Sequence, residues 1–405
     1  MSQKTILILG GGIGGQVAAN SLVSILKGKH RVVLVDKSQN FAFPPSFPWI
    51  VTGQRNPSKI QKPLPSLLKK GVTFIQAEIL RIDPVLKKVE TSTGPLSFDY
   101  LIISLGAELA PGKIPGFQEG ALNFYTLEGS IEIQKSLESF DQRKIAVLIT
   151  STPFKCPAAP YESAFLVQDF LKRKGREAEV TVFTPEPFPM PTAGAGIGEA
   201  LKGMLESKGI RFCPGYKVIK IDPTTKTIAF EGGKKESYGL LIGVPPHEAP
   251  KVVKESGLTN ESGWIPVDRQ TLKTKYPGVY AIGDVTTIPI AQGKTLPKAG
   301  IFAHTQAEVV AANILSCLND QPEKGKFDGA GWCAIEIGAG SAAFGNGDFY
   351  AADGAVVQLY NPDPFWHWGR VLFEKWWLSS FGPKRELLRM ALKLGAKVRG
   401  ISVSL

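Results

Sequence analysis

Five residues, Thr5 to Leu9, form an apolar run fit for a central parallel strand and lead straight into Gly10-Gly11-Gly12-Ile13-Gly14-Gly15. Gly10, Gly12 and Gly15 satisfy G-x-G-x-x-G between that strand and a helical stretch at 16–26. This spacing makes a tight strand-to-helix turn. A pyrophosphate can approach its backbone closely and face the unpaired N–H groups of the helix start. A second apolar run, 31–35, ends at Asp36, where a carboxylate suits ribose hydroxyls. Together these features predict a Rossmann-like dinucleotide-binding unit at the start of an α/β chain.

The pattern returns once, altered. Residues 145–149 read as another buried strand running into a turn and a helix. The loop between them carries Pro153, Phe154, Lys155, Cys156 and Pro157 and no glycine. The next strand, 179–183, ends at Thr184-Pro185, so the ribose-binding acid is missing from its place, although Glu186 lies two residues later. Prolines and a phenylalanine obstruct a pyrophosphate, so this second Rossmann-like unit is expected not to take NAD(P)H. The cysteine in the loop, with Glu162 six residues beyond it, points to thiol chemistry instead.

Length bounds the rest: 405 residues suit two or three domains. A formal net charge of +11 favours an anionic partner, whether acidic lipid, nucleic acid or a small anion. The four cysteines (156, 213, 317, 333) show no C-x-x-C spacing, and the four histidines (30, 247, 304, 367) are scattered. That excludes a disulfide scaffold and argues against a metal site. The chain enters a strand at once, with no charged segment and apolar stretch of a signal peptide before it. No uninterrupted apolar run reaches the length of a membrane span. The expected location is cytoplasmic, peripheral at the inner face of the cell membrane.

Residues 278–284 read as a short strand ending in Gly283-Asp284 and resemble the second FAD fingerprint of two-dinucleotide-domain flavoproteins, where the Asp holds ribityl or phosphate oxygens. Residues 100–107, with Gly106, resemble the strand leading out of that superfamily's FAD domain. The resemblance implies FAD held by Gly10, Gly12, Gly15, Asp36, Gly106, Gly283 and Asp284. Lys298 precedes an apolar helix at 301–315 and suits an anionic reduced flavin.

Cys156-Pro157-Ala158-Ala159-Pro160-Tyr161-Glu162 resembles the active-site segment of the sulfide:quinone oxidoreductases and the flavoprotein of flavocytochrome c sulfide dehydrogenase. Gly331-Trp332-Cys333-Ala334-Ile335-Glu336 resembles their segment with the second redox cysteine. The resemblance implies a Cys156–Cys333 disulfide beside the flavin. Hydrosulfide attacks it, leaving a persulfide on one cysteine and a thiolate that reduces FAD. Glu162 matches the family's acid and is assigned to proton handling. Many relatives have a third cysteine; this chain has none before 156, which implies non-covalent FAD. The four histidines have no evident match, and Cys213 and Cys317 read as structural.

The region 329–405 opens with strand-like stretches at 334–337, 342–344 and 355–360. An aromatic helix follows, with Phe365, Trp366, Trp368, Phe373, Trp376 and Trp377, and then a basic, apolar helix at 384–397. Eight Lys/Arg face two Glu between 365 and 399. This reads as docking on an anionic membrane surface, with a helix pair that buries its tryptophans as the alternative. Docking makes a membrane quinone the acceptor, with Phe344, Phe365 and Trp366 as candidates to hold its ring. The expected domains are FAD-binding (1–107 and 250–328), a second unit carrying Cys156 (108–249) and a C-terminal region carrying Cys333 (329–405). Expected partners are hydrosulfide, quinone and membrane, with no nucleic acid and with homo-oligomerisation left open. The alternatives are transfer to a cytochrome c, type II NADH:quinone oxidoreduction, and redox sensing without turnover.

Overall fold

The computed structural model of the protein describes residues 2–401 and 403. Strand β1 (Thr5–Leu9) turns through the glycines into helix α1 (Ile13–Leu26), and β2 (Arg31–Asp36), the short helix α2 (Phe47–Val51), β3 (Val72–Gln76) and β4 (Tyr100–Ile103) follow. A second series runs β5 (Lys144–Ile149), α3 (Ala159–Arg173), β6 (Glu179–Phe183), β7 (Arg211–Cys213) and β8 (Leu240–Val244). Then come β9 (Val279–Ala281) and α4 (Gly300–Leu318). The chain ends with β10 (Ala330–Gly338), β11 (Ser341–Asp348), β12 (Val356–Asp363), α5 (Pro364–Trp377) and α6 (Pro383–Val398).

The first sheet is parallel throughout, in the order β9-β4-β1-β2-β3. Its centre explains the apolar run at the start of the chain. Ile6 and Ile8 enter one core with α1 and α4, while Leu7 and Leu9 enter a second core with Phe98, Trp264 and Val279. A strand buried on both faces cannot alternate polar and apolar residues. The second sheet, β7-β6-β5-β8, is also parallel.

Each series also carries a three-stranded antiparallel meander, at 79–97 and at 218–237, which the sequence reading did not anticipate. Both have a turn begun by the same tripeptide, Ile82-Asp83-Pro84 and Ile221-Asp222-Pro223. Each aspartate accepts from two backbone N–H groups just ahead, Asp83 from Val85 and Leu86, Asp222 from Thr224 and Thr225. Such Asx turns fix a tight reversal.

Helix α4 is, among the described residues, the one helix whose 19 residues and mean hydropathy of 1.2 would let it cross a membrane. It lies instead in the first core, with Phe302, Ala307, Val310 and Ile314 buried beside Ala18 and Leu22 of α1. The last sheet, β10-β11-β12, is antiparallel, and α5 packs against it. Strand β10 is an edge of that sheet, and it carries Cys333.

Candidate active site

At the glycine turn the three fingerprint residues divide their work. Gly10 has φ 97°, and a Cβ on Gly10 or Gly15 would strike the carbonyl oxygens of Ser104 and Gly10 respectively. These two close the turn. At Gly12 a Cβ would meet no atom within 4 Å, and Gly12 stands at the start of α1 with no side chain capping it. Open space in front of uncapped N–H groups is a phosphate cradle. Asp36 accepts from Gly11 N at 2.6 Å and so is drawn to the same turn. Gly106, at φ 68°, likewise faces open space.

Gly283 N donates to Gln306 Oε1 at 2.7 Å, which holds the Gly-Asp turn against α4. Asp284 Oδ1 is buried without a partner, and burial raises its carboxyl, opposed by Lys298 and Lys155. A buried acceptor lacking a donor suits the hydroxyls of a ribityl chain. The residues therefore fit FAD. Lys298 is buried and donates to the carbonyls of Asp284 and Thr286 at 2.7 and 2.9 Å, with its ammonium 3.3 Å from the centre of the Trp264 ring. Burial lowers it to about 7, so it braces the turn beside Asp284.

The loop after β5 docks beside this cradle. Lys155 pairs with Lys298 as an isolated β-bridge, and Cys156 N donates to Lys298 O at 2.6 Å. Cys156 itself has φ 54°, a left-handed conformation that costs energy for any residue with a Cβ and is typical of functional turns. Its side chain keeps solvent-accessible area although protein surrounds it densely. Burial pushes its thiol well up, helped by Cys333 and Glu162, while Arg370 pulls it down. Burial likewise raises Cys333 to about 12, with Glu162 adding and Arg370 opposing. The two cysteines, both free thiols here, are thus both coupled electrostatically to Glu162 and Arg370. Cys213 is buried at the end of β7, and Cys317 lies on α4 against Glu323, away from this group.

Sequence reasoning missed the cation at its centre. Arg370, on α5, pairs with Glu162 on α3 and donates to Ala334 O at 3.3 Å and to Pro45 O. Its guanidinium lies 4.7 Å from the Trp49 ring centre. Burial alone would lower it, but Glu162 and Glu336 hold it firmly protonated. Burial raises Glu162 to about 7 against the pull of Arg370. His367, set aside in the sequence, binds Glu336 through Nδ1 at 2.8 Å. His367, Arg370 and Glu374 sit at i, i+3 and i+7 on α5, one inward face of a helix whose tryptophans drew the eye.

On the other side of the loop, Tyr125 and His247 meet edge to face at 4.9 Å, with Tyr125 Oη and His247 Nε2 buried and unpartnered. In the second unit, Glu186 Oε2 accepts from Tyr161 Oη at 2.5 Å and from Thr184 Oγ1 at 3.2 Å. Tyr161 is fully buried, so the chain's own side chains seal the acid nearest the usual ribose position.

The tail corrects one expectation. Trp366, Trp376 and Trp377 are buried, so the aromatic helix α5 packs inward, and Trp368 is the tryptophan left exposed. Phe344 and Trp366 stack on each other at 4.6 Å, with Phe365 edge-on to Trp366 at 5.1 Å. The open apolar face belongs to α6, where Leu387, Met390, Leu394 and Val398 are 59–73 % exposed.

The sequence profile of the pyridine nucleotide-disulphide oxidoreductase family matches residues 4–307. The mitochondrial sulfide:quinone oxidoreductase of Mus musculus is 25% identical over 404 residues, 93% of this chain and 88% of that protein. The crystal structure of the sulfide:quinone oxidoreductase of Aquifex aeolicus superposes with a TM-score of 0.80 at 25% identity, covering 92% of this chain and 90% of that one. A type II NADH:quinone oxidoreductase of Staphylococcus aureus is 23% identical over 336 residues, 79% of this chain and 84% of that protein. The fold is that of a two-dinucleotide-domain flavoprotein with a C-terminal extension.

Proposed function

The chain belongs to the pyridine nucleotide-disulphide oxidoreductase family, and on that premise we propose that it oxidises hydrosulfide at Cys156 and Cys333 and passes the electrons through FAD to a membrane quinone. It is an oxidoreductase and its cofactor is FAD, which when bound supplies the two-electron acceptor. The observation that carries the reading is the electrostatic cluster of Cys156, Cys333, Glu162 and Arg370, with Cys156 tied by its N–H to Lys298 beside the FAD cradle.

In the working oxidised form Cys156 and Cys333 are joined. Hydrosulfide attacks one sulfur, a new S–S bond forms, and the bond between the cysteines breaks. One cysteine becomes a persulfide and the other a thiolate that carries the displaced electron pair. Burial makes that thiolate costly, so it is poised to give up its electrons. Arg370 offsets its charge, and Glu162 takes the persulfide proton. As the thiolate cysteine's electron pair passes to FAD, where bound, the deprotonated persulfide sulfur bonds to the same cysteine and re-forms the bridge with one added sulfur. Further hydrosulfide lengthens the chain, and displacement by the other cysteine's thiolate releases it as polysulfide and restores the Cys156–Cys333 bond. With no cysteine before 156, FAD is bound non-covalently. Phe344, Phe365 and Trp366 are the quinone-side candidates.

Two features weigh against the alternatives. The seal of Tyr161 on Glu186 and the glycine-free loop oppose NADH as donor. The exposed stripe of α6, flanked by Lys393, Lys397 and Arg389, suits an anionic lipid surface on the cytoplasmic side better than a soluble cytochrome. Replacing Leu387, Met390 and Leu394 by serine together is expected to release the protein from anionic vesicles in a sedimentation assay while leaving its flavin spectrum intact. Retained sedimentation would remove α6 as the docking element.

Glu162 works as a base when ionised, so sulfide-driven reduction of a soluble quinone is expected to rise with pH through about 7. In Glu162→Gln that dependence should flatten and the rate fall by roughly 10²-fold. Any limb due to the substrate's own ionisation survives in the variant. Equal rates and profiles for the two proteins would rule out Glu162 as the base, and absence of sulfide-driven reduction in the wild type would overturn the whole reading.

A further inference from the structure

Three cations meet where α6 leaves α5. Arg385 is 8 % exposed, and its Nη1 donates to the carbonyls of Trp377 and Ser379 at 3.1 and 2.7 Å. Its guanidinium lies 4.4 Å from the centre of the Phe381 ring and 5.0 Å from that of Trp376. Lys69 reaches the same corner from the FAD-binding unit, with its ammonium 5.4 Å from the centre of the Phe381 ring. Arg389, one turn beyond Arg385 on α6, is half-buried. The place of Lys69 is set by α1. Asn20 accepts from Lys69 N at 2.8 Å and donates to Leu67 O at 3.0 Å, which pins the loop. The Lys69 ammonium then donates to Ser24 Oγ, one turn further along α1, at 2.6 Å. Leu68, Leu388 and Leu392 all pack against the first core, so loop and helix are held together by apolar contacts and not by charge.

Like charges gathered at a half-buried corner repel, and here a single carboxylate stands against them. Glu386 binds Arg389 at 2.7 Å, and among the described residues neither Lys69 nor Arg385 has a carboxylate at ion-pair distance. Burial lowers the Lys69 ammonium; Glu386 opposes that, and Arg385 and Arg389 add to it. Three cations and one carboxylate leave a surplus of two positive charges, which matches a phosphate. Position selects its source. Arg389 begins a basic row, with Lys393 and Lys397 at four-residue spacing, along the flank of the open stripe Leu387, Met390, Leu394 and Val398. A helix whose apolar stripe lies at the acyl boundary holds its flank at the level of the lipid headgroups.

We propose that Lys69, Arg389 and the Ser24 hydroxyl bind the phosphate of an anionic lipid headgroup at the corner between α5 and α6, an assignment that rests on α6 as the docking element. Arg385, held by its two carbonyls, adds charge from behind without touching the ligand. The lipid then bridges α6 and the FAD-binding unit, because Lys69 and Ser24 belong to one and Arg389 to the other. Docking through this site orients the whole protein on the membrane, where the apolar stripe by itself would anchor α6 alone.

Titration calorimetry of the FAD-loaded protein tests the site, with dihexanoylphosphatidylglycerol below its micelle concentration and, separately, with inorganic phosphate. The short-chain lipid is expected to bind saturably at one site. Affinity should fall at least about 10-fold in Lys69→Gln and in Arg389→Gln, the loss of one charge-assisted hydrogen bond, with flavin absorbance unchanged. Lys220→Gln removes the same charge from the second meander and should bind as the wild type does. Inorganic phosphate should bind at least about 10-fold more weakly than the lipid. Absence of saturable binding, wild-type affinity in Lys69→Gln and Arg389→Gln, an equal loss in Lys220→Gln, or phosphate bound as tightly as the lipid would each overturn the headgroup site. Sedimentation with anionic vesicles reads the docking separately. A wild type that binds the short-chain lipid yet stays in the supernatant would overturn α6 as the docking element instead.

Discussion

Cys156→Ser and Cys333→Ser are each expected to lower sulfide-driven flavin reduction by roughly 10³-fold or more, with FAD still bound. Serine oxygen is neither an electrophile for hydrosulfide nor a carrier of a persulfide, so each variant removes the bond that the reaction breaks. The loss should be as large in either single variant as in the double, because the two sulfurs act as one unit. The Cys156 position adds a structural demand. Its left-handed backbone is held by the bond from its N–H to Lys298 O, a contact of the main chain that serine preserves. Unchanged flavin absorbance with lost bleaching would therefore locate the defect in the thiol chemistry. A variant that bleaches at the wild-type rate would remove that cysteine from the mechanism.

Arg370→Met is expected to be the most destabilising single change near the site, by about 3–5 kcal/mol. The arginine side chain and that of Glu162 are both buried, and Glu336 leans on the same guanidinium. Removing it strands the Glu162 carboxylate and takes a cation away from Glu336, which keeps His367. Burial already raises Glu162 to about 7, and without Arg370 nothing opposes that rise. A carboxyl whose folded pKa exceeds its unfolded one favours the folded state at low pH and loses that contribution as pH rises through the folded value. The defect should therefore be larger at pH 8 than at pH 6, and Glu162→Gln added to Arg370→Met should recover part of it. Denaturant midpoints of the FAD-loaded proteins at the two pH values measure this. A loss independent of pH and of residue 162 would mean that Arg370 matters for packing alone.

Much of the scaffold could be read from local pattern. The strand at Glu179–Phe183 has the bounds its apolar run suggested, and Val279–Ala281 joins the first sheet beside β4, as a Gly-Asp motif far along the chain implied. The two meanders escaped because their strands are short and partly exposed; Leu80 on a strand and Val85 and Leu86 in the turn after it all face solvent, so no clean alternation shows. The repeated Ile-Asp-Pro was the available signal. In the tail, helical spacing revealed α5 and α6 but not which of them is covered. A tryptophan-rich face suits a lipid surface and a protein core equally, and only packing against Phe43, Trp332 and His304 decides for α5.

For the site, the cysteines and Glu162 stood out because they lie in short distinctive segments. Arg370 did not, since its partner Glu162 is 208 residues away and nothing in the spacing links them. Glu336 lies within the second cysteine segment, yet alternation puts it on the opposite face of the strand from Cys333, where His367 reaches it from another element. Pairings of this kind belong to the fold, where buried charges must find each other.

The most direct measurement is the absorbance of the bound flavin under anaerobic conditions, with sulfide and NADH added to separate samples and a soluble quinone added afterwards. The account predicts bleaching by sulfide alone, reversed by the quinone and absent in Cys156→Ser and Cys333→Ser. Bleaching by NADH that is indifferent to both cysteines would contradict it, and would mean that the second dinucleotide unit takes a nucleotide after all.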